Sequence, residues 1–478
     1  MTDNGTAQHS QNSKHAVIVG AGPNGLTTGA LLAQAGWQVD IYEASPHLGG
    51  AARSQSLLGE GIISDLGAAA HPFGIASPVF SKLGLEEHGL KWAHSKYPMA
   101  HPFDDDHAAF LKHGVNDTAQ GLGADARHWK RVHRSITKNI DKHLENVLGP
   151  VLRMPPHPLR MAQFGAAALL PARTLANAAF ETEDARALFS GSAVHAITPP
   201  DKPLTAAFGL LFNALGMSRG WPVAVGGTQA IADALAAVVT EHGGRIHLEE
   251  PIEDLSRFKA ADAIVLNLTP AQVLRLKGVE VADSIEGKMK KWRYGPSSYK
   301  IDFLLDGPIP WKNPEVANAT TVHVCGSADE IRLAEAEAAA GRMPERPFVL
   351  VCQQQAADPS RAREGKHVVW AYAHVPRGFV DKRAGVLIAN QIERFAPGFR
   401  DRVIQAVTTD ANQLEDWNPN LVGGDVAAGA TDGLQSIVRM PSKLGPKTYM
   451  ASASNAPGGG VHGMPGAWAA RAVLADHH

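Results

Sequence analysis

The sequence predicts an α/β fold built around a doubly wound parallel sheet. An apolar, β-branched run over residues 16–19 leads into three glycines with the spacing Gly20-x-Gly22-x-x-Gly25. Small and apolar residues with helical character follow, and the next strand-like segment ends in Glu43. Strand, glycine turn, helix and acidic strand end occur in the order that a dinucleotide-binding βαβ unit requires.

The residues of the glycine turn fit close contact with a pyrophosphate. Gly20 permits the tight turn, Gly22 lets the backbone approach the phosphates, and Gly25 lets the helix pack near the sheet. Pro23 and Asn24 open the helix, whose N-terminus offers unpaired N–H groups and the positive end of the helix dipole. We therefore expect both residues at the phosphates.

Residues after the second strand extend this prediction. Glu43 is placed to accept hydrogen bonds from a ribose, and the Gly49–Gly50 pair that follows lets a second stretch of backbone approach the phosphates. The cofactor-binding residues predicted here are Gly20, Gly22, Pro23, Asn24, Gly25, Glu43, Ala44, Gly49, Gly50, Ala51, Arg53, Gly67 and Ala68.

Composition excludes several classes of protein. The 478 residues carry a formal net charge of -2 and no long basic block, so nucleic acid is not an expected partner. The two cysteines, Cys325 and Cys352, are expected to be buried core thiols. No metal site is predicted.

Targeting and membrane signals are also absent from the sequence. Residues 1–14 are polar and match neither a signal peptide nor a transit peptide. No run of about 18 uncharged apolar residues is present that would span a bilayer. We expect a cytoplasmic protein, with peripheral contact at a membrane as an alternative.

The middle of the chain predicts a second domain. Residues 77–215 have a largely helical pattern, and residues 291–417 are rich in strand-like segments. Between them, residues 220–290 return to the α/β pattern. We therefore predict a discontinuous cofactor domain over residues 14–76, 220–290 and 420–478, and a substrate domain with a helical insert over residues 77–219 and 291–419.

One apolar piece of the insert, residues 161–171, has two interpretations. A segment of about ten apolar residues is too short to span a membrane, and a buried core helix is the favoured interpretation. The alternative is a membrane-surface patch or the mouth of an apolar substrate channel.

The C-terminal segment contains a second glycine-dense turn before a helix. Residues 457–466 read Pro-Gly-Gly-Gly-Val-His-Gly-Met-Pro-Gly, and helix-forming residues 467–474 follow. Such a helix N-terminus would stabilise an electron-rich acceptor, such as the edge of a flavin ring.

Together these motifs resemble the phytoene-dehydrogenase-like flavoproteins, relatives of carotenoid desaturases in the amine-oxidase superfamily. The resemblance covers most of the chain and is most specific in the C-terminal glycine motif. It implies one non-covalent FAD in a Rossmann-like domain of the glutathione-reductase and amine-oxidase type, interleaved with a mixed substrate domain. Many relatives have a basic residue directly after the Gly-Gly pair, whereas here Ala51 and Ala52 precede Arg53.

The resemblance also implies further contacts with FAD. Ile252 would pair its backbone with the adenine, and the C-terminal motif would lie beside the isoalloxazine ring. The additional cofactor-binding residues implied are Ile252, Gly460, Val461, His462, Gly463 and Met464.

The absence of a second dinucleotide fingerprint guides the expected reaction. Without a nicotinamide site, electrons are expected to come from an organic substrate and to leave to oxygen or a quinone. Hydride removal at flavin N5 from an apolar, isoprenoid or lipid-like substrate, forming a C–C double bond, is the leading hypothesis. Amine oxidation, and a non-redox isomerase or partner-binding flavoprotein, remain alternatives. The sequence does not predict the oligomeric state.

The sequence gives only weak indications of polar catalytic residues. His71 and His462 are expected near the flavin ring, where an imidazole could bind substrate or carry a proton. A structural hydrogen bond is favoured for His462, and neither role is favoured for His71. His195 and His374 are expected to be satisfied histidines of the substrate domain.

Overall fold

The computed structural model of the protein describes residues 14–363 and 365–477, so most of the N-terminal segment considered for targeting signals lies outside it. The strands are short in the N-terminal half and longer in the mixed sheet. They are β1 His15–Val19, β2 Gln38–Tyr42, β3 Ser54–Gln55, β4 Ser64–Asp65, β5 Trp92–Ala93, β6 Tyr97–Pro102, β7 Ala108–Leu111, β8 Val223–Ala224, β9 Arg245–His247, β10 Ala263–Leu266, β11 Ser297–Leu305, β12 Ala319–Val324, β13 Val349–Cys352, β14 His367–Val375, β15 Val403–Thr409 and β16 Thr448–Met450.

The helices cluster in the insert and around the parallel sheet. They are α1 Pro23–Gln34, α2 Pro72–Ile75, α3 Pro78–Lys82, α4 Val115–Gly121, α5 Ala126–Lys138, α6 Ile140–Val147, α7 Pro158–Ala168, α8 Ala172–Ala179, α9 Glu183–Ala193, α10 Thr205–Ser218, α11 Gln229–Glu241, α12 Pro270–Val273, α13 Asp283–Lys290, α14 Ala328–Ala339, α15 Arg383–Phe395, α16 Ala411–Trp417, α17 Gly433–Ile437 and α18 Met464–Asp476.

A parallel sheet forms the first layer, as the sequence predicts. Within the described residues its strand order is β16-β10-β1-β2-β9, and every pairing is parallel. Apolar side chains of α1, α11 and α18 pack with those of β1 and β2 in one core. Burial on both faces explains why β1 reads as a nearly continuous apolar run.

A larger mixed sheet forms the second layer, with the order β15-β11-β14-β13-β12-β6-β7 in the described part of the chain. Its pairings are antiparallel except for β12 with β6. Strands β6 and β7 come from the segment for which the sequence predicts mainly helix. That expectation is wrong for residues 97–111, because these strands complete the mixed sheet and are buried by it. The domain boundaries themselves stay a prediction.

The apolar segment over residues 161–171 is not a buried core helix. It belongs to α7, in which Phe164 and Ala168 are buried, whereas Leu159 and the following Leu169 are largely exposed. Among the described residues, no helix is long and apolar enough to cross a bilayer.

Candidate functional site

The turn between β1 and α1 contains glycines at positions where a side chain would be strained or would clash. Gly20 has a φ of 98°, which favours glycine. A Cβ on Gly25 would lie 2.1 Å from the carbonyl oxygen of Gly20, so the helix and the strand end touch through backbone. Helix α1 begins after Gly22 with no side-chain cap and no acidic residue in its first turn. Its first N–H groups are therefore suited to a phosphate.

The second glycine pair lies against the first. The N–H of Gly49 donates to the carbonyl of Ala21 at 2.9 Å. A Cβ on Gly50 would lie 3.2 Å from the Cα of Gly22. A Cβ on Gly67 would similarly lie 2.2 Å from the carbonyl oxygen of Ala51. Three backbone segments thus meet without intervening side chains, and this cradle fits a dinucleotide pyrophosphate.

Glu43 is fixed at the end of β2. Its carboxylate oxygens accept hydrogen bonds from the N–H groups of Ala21 at 2.8 Å and Ser45 at 3.0 Å. The adjacent Ala44 is exposed. This geometry holds the carboxylate beside the phosphate cradle, where a ribose would bind. The ribose contact itself stays a prediction.

Arg53 and Ile252 lie outside the lining of the main cavity. The Nη1 of Arg53 donates to the Oγ of Ser45 at 3.1 Å, and its guanidinium lies 5.6 Å from the ring centre of Trp417. Burial lowers the pKa of Arg53, although the charge of Glu43 opposes the shift. Ile252 packs half-buried at the edge of an apolar cluster that includes Val17. These positions do not test whether Arg53 or Ile252 contacts the cofactor, so both contacts stay predictions.

A cavity of about 330 Å³ extends from the phosphate cradle to the mixed sheet. Predicted residues that line it are Pro23, Asn24, Ala51, Gly67, Ala68, Gly460, Val461 and His462. Its other walls are mostly aromatic and aliphatic. They include Phe73, Phe212, Trp221, Leu350, Trp370, Tyr372, Leu414 and Trp417. The cavity therefore joins the predicted cofactor site to an apolar chamber.

The C-terminal turn forms one wall of this cavity and ends in α18, as predicted. His462 is buried; its Nδ1 accepts the N–H of Met464 at 3.1 Å, and its carbonyl accepts the hydroxyl of Ser77 at 2.7 Å. Burial lowers the pKa of His462 to about 4, so the ring is neutral at neutral pH. Gly463 lies behind the lining, where a Cβ would be 2.5 Å from the Oγ1 of Thr27. His462 thus accepts a hydrogen bond from the first residue of α18 and lines the cavity.

His71 lies behind the wall of the cavity and does not line it. Its Nε2 is 2.9 Å from the Oγ1 of Thr228, whose hydroxyl donates to the carbonyl of Ala68 at 2.8 Å. With that hydroxyl proton engaged, Nε2 of His71 must be the donor. Burial lowers the pKa of His71 to about 4. The geometry supports a structural role for His71 and gives no support to the predicted catalytic one.

Sequence reasoning missed a buried lysine in the chamber. Lys300 and Asp302 lie two residues apart on β11, whose residues are all buried, and they form an ion pair. Lys300 lines the cavity. Burial lowers the pKa of Lys300 and raises that of Asp302, and each charge opposes the shift of the other. Two charged residues in a strand that is otherwise apolar or weakly polar were the available sequence signal, because buried charges need a partner.

Two other side chains, those of His195 and Cys352, also line the chamber, and the sequence did not predict this position for either. His195 lines the cavity, and its Nε2 is 3.0 Å from the Nε2 of His323, another buried histidine. Burial lowers the pKa of His195 to about 3. Cys352, which is buried as expected, also lines the cavity, and burial raises the pKa of its thiol to about 12. His374 pairs with Glu335 at 2.9 Å, as expected for a structural histidine.

The fold and the glycine cradle define a dinucleotide-binding α/β protein, and comparison with known proteins gives its family. The family of flavin-containing amine oxidoreductases matches residues 24–285, which is more than half of the chain. The chain belongs to this family, and it is an FAD-dependent oxidoreductase of the amine-oxidase superfamily. The pyrophosphate cradle described above fits this cofactor.

Individual relatives are distant. The "pyridine nucleotide-disulfide oxidoreductase domain-containing protein 2" of Rattus norvegicus is 25% identical, over 96% of this chain and 93% of its own length. An oxidoreductase from Methanosarcina mazei has a TM-score of 0.65 at 16% identity and covers 96% of this chain and 100% of its own. Putrescine oxidase bound to putrescine has a TM-score of 0.62 at 15% identity, covering 97% and 99%. These structures share the fold.

Proposed function

We propose that the protein removes hydride from a carbon of a neutral, largely apolar substrate and so forms a C–C double bond, as phytoene-dehydrogenase-like flavoproteins do. The observation that carries this proposal is the lining of the chamber. Aromatic and aliphatic side chains dominate it, and no Asp or Glu is among the lining residues of the described chain. A cationic polyamine would find no carboxylate there to replace its hydration. An isoprenoid or lipid-like substrate fits this lining.

FAD, when bound, accepts the hydride, and the chain's own residues position the substrate and exclude water. Phe212 and Trp221 stack with ring centres 5.3 Å apart and form a rigid apolar wall. This wall can hold an extended hydrocarbon in one orientation, which places a single C–H bond for reaction.

Lys300 and His195 supply the polar groups of the chamber. Burial lowers the pKa of Lys300 and favours its neutral amine, which can accept the proton that the substrate loses together with the hydride; Asp302 then stabilises the ammonium that forms. The Nδ1 of His323 is buried without a partner among the described residues, which favours its proton on Nε2, donated to His195. His195 then carries its own proton on Nδ1 and can donate to a substrate oxygen.

Amine oxidation is the second candidate, favoured by one observation. Trp370 and Tyr372 both line the cavity, with ring centres 5.1 Å apart and planes at 67°. The faces of aromatic rings attract an amine that carries its proton. Cyclohexylamine oxidase of Brevibacterium oxydans is also a structural neighbour, with a TM-score of 0.61 at 15% identity, covering 97% of this chain and 98% of its own. The electron acceptor that we propose is oxygen or a quinone.

The test is anaerobic reduction of the purified holoprotein, followed by the loss of oxidised-flavin absorbance. A polyisoprenoid in detergent micelles should reduce the flavin, and cyclohexylamine and putrescine should not. Leu350→Gln, in the chamber wall, should slow this reduction at least about tenfold at unchanged FAD content, because it adds a polar group to an apolar surface. Leu333→Gln, at an exposed position of α14, is the matched control.

The outcomes separate the hypotheses. Reduction by amines alone would refute desaturation and establish amine oxidation. If no substrate of either class reduces the flavin while dithionite does, the non-redox alternative is favoured. Admission of air to the reduced protein then identifies the acceptor, because reoxidation within seconds indicates oxygen and persistence of reduced flavin until a quinone is added indicates the quinone.

A further inference from the structure

One face of helix α5 is strongly basic. The exposed side of the helix carries Arg127, Arg131 and Arg134 together with Lys130 and Lys138. They line a shallow surface groove together with Ser135, Asn139 and Arg160, the last of which comes from α7. We call the six basic side chains the basic face. Within the described part of the chain, none of the six forms an ion pair, so their positive charge is not neutralised by the protein itself.

Beside the basic face, the chain exposes an unusual number of large apolar side chains. Leu152 is 75% exposed, Met154 86%, Leu159 81% and Leu169 60%. All four lie on α7 or in the loops that flank it. We call these four side chains the apolar face. Single exposed leucines need no explanation, but four large apolar side chains exposed within 18 residues of sequence make this region a candidate site of interaction.

Helix α7 is anchored so that this apolar face must point outward. Phe164 and Ala168 are buried in the core of the helical insert, and they hold one side of the helix against the protein. Leu159, Ala162 and Ala166 recur at helical spacing on the opposite, exposed side. The helix has 11 residues, which is too short to span a bilayer but sufficient to lie in its surface.

The two faces are contiguous. Leu159, on the apolar face, and Arg160, on the basic face, are consecutive residues of α7, and Arg160 lines the same groove as the side chains of α5. An apolar surface bordered by cations is complementary to a membrane with anionic lipids, whose acyl boundary accepts leucines and whose headgroups accept arginines. A nucleic acid would use the cations but would leave the leucines exposed to water.

We propose that the surface formed by α5 and α7 binds an anionic lipid bilayer, with the apolar face inserted at the acyl boundary and the basic face on the headgroups. The interior side of α7 packs in an apolar cluster that also borders the chamber. Phe164 of α7 belongs to the same apolar cluster as Phe73 and Phe212, which line the cavity. Provided that the proposed function is correct, docking would bring the chamber close to substrates dissolved in the membrane. The binding itself does not depend on the reaction.

The experiment is co-sedimentation of the FAD-loaded protein with vesicles of phosphatidylcholine alone or with about 30% of the anionic lipid phosphatidylglycerol. Binding should be strong only with the anionic lipid, and it should weaken as salt is raised. A basic residue near an anionic surface contributes about a fivefold change in partitioning. Arg131→Glu with Arg134→Glu should therefore lower partitioning at least about 25-fold.

The apolar part is tested separately. Leu159→Gln with Leu169→Gln should lower partitioning at least about tenfold, because two leucines no longer enter the acyl region. The matched controls carry the same changes elsewhere. Lys382→Glu with Arg383→Glu removes two exposed cations at the start of α15, and Leu434→Gln changes a leucine that is 79% exposed. FAD absorbance confirms that each variant is folded.

Four results would overturn the proposal. The first is no binding to anionic vesicles at low salt. The second is equal loss of binding in the control variants, and the third is unchanged partitioning of the leucine variant, which would exclude insertion. Tight binding to a DNA duplex without binding to vesicles would also refute the lipid assignment. Vesicle binding that persists when the substrate assays fail would refute the proposed function alone.

Discussion

Replacement of Arg361 by methionine should destabilise the protein by about 3–5 kcal/mol, because it breaks a fully buried ion pair. The guanidinium has no exposure to solvent. It donates to Asp65 at 2.7 Å, to Asp358 at 2.9 Å and to the carbonyl of Ala224 at 2.9 Å. Methionine fills much of the volume but leaves two carboxylates without their cation. The energy lost is therefore mainly that of an uncompensated buried charge and not that of a cavity.

The pH dependence of this loss follows from Asp65. Burial on its own raises the pKa of this carboxyl, but Arg361 and hydrogen bonds from Ser54 and Thr228 outweigh burial and lower it. In the wild type, Asp65 thus stabilises the fold above its unfolded pKa, and this contribution is lost only as pH falls through the lower folded pKa. Without Arg361, burial dominates and raises the pKa of Asp65 in the folded protein, so Asp65 takes up a proton when the variant folds.

The deficit of Arg361→Met should therefore be largest near pH 8 and smaller near pH 5. Denaturant unfolding at both pH values, followed by circular dichroism and by flavin absorbance, measures it. Arg342→Met removes an exposed guanidinium paired with Glu337 and should leave the unfolding midpoint unchanged. A loss below about 1 kcal/mol, or one that does not change with pH, would refute the assignment of Asp65 as a buried ionised carboxylate.

Two further predictions concern the cofactor site and the chamber. Gly50→Ala should lower FAD occupancy at least about tenfold, because its Cβ would enter the phosphate cradle. The control is Gly36→Ala, which is also at positive φ but has nothing within 4 Å of its Cβ and should keep its FAD. The ratio of flavin to protein absorbance measures the occupancy of both variants. Lys300→Met should slow flavin reduction by substrate at least about tenfold at unchanged FAD content. Because burial lowers the pKa of Lys300, the wild-type rate should show an inflection below the usual lysine range that Lys300→Met lacks.

The cofactor cradle could be predicted because its signals are local. The turn after β1 needs a positive φ at Gly20 and close backbone contact at Gly25, and only glycine satisfies both at this spacing. The C-terminal motif is equally local, since Pro465 and the glycines before it fix the start of α18. Short-range sterics thus determine these elements before any tertiary contact is known.

The chamber could not be predicted in the same way, because its walls come from segments far apart in sequence. His195, Lys300 and Trp370 meet only through the pairing of β11 with β14 and the packing of the helical insert. The exposure of α7 was likewise invisible, since an apolar helix face looks the same whether protein or a membrane covers it. The periodicity of the apolar residues predicts which face of the helix is apolar, and the tertiary structure determines what covers that face.

This contrast between local and long-range determinants separates the two tasks of the molecule. The FAD cradle consists of backbone and small residues, so its affinity depends on the absence of side chains, as at Gly22 and Gly50. The chamber consists of large side chains such as Trp221 and Trp370. A change in these side chains should alter which substrate reacts and leave FAD content intact. Substrate choice can therefore diverge within one fold while the site for the cofactor stays the same.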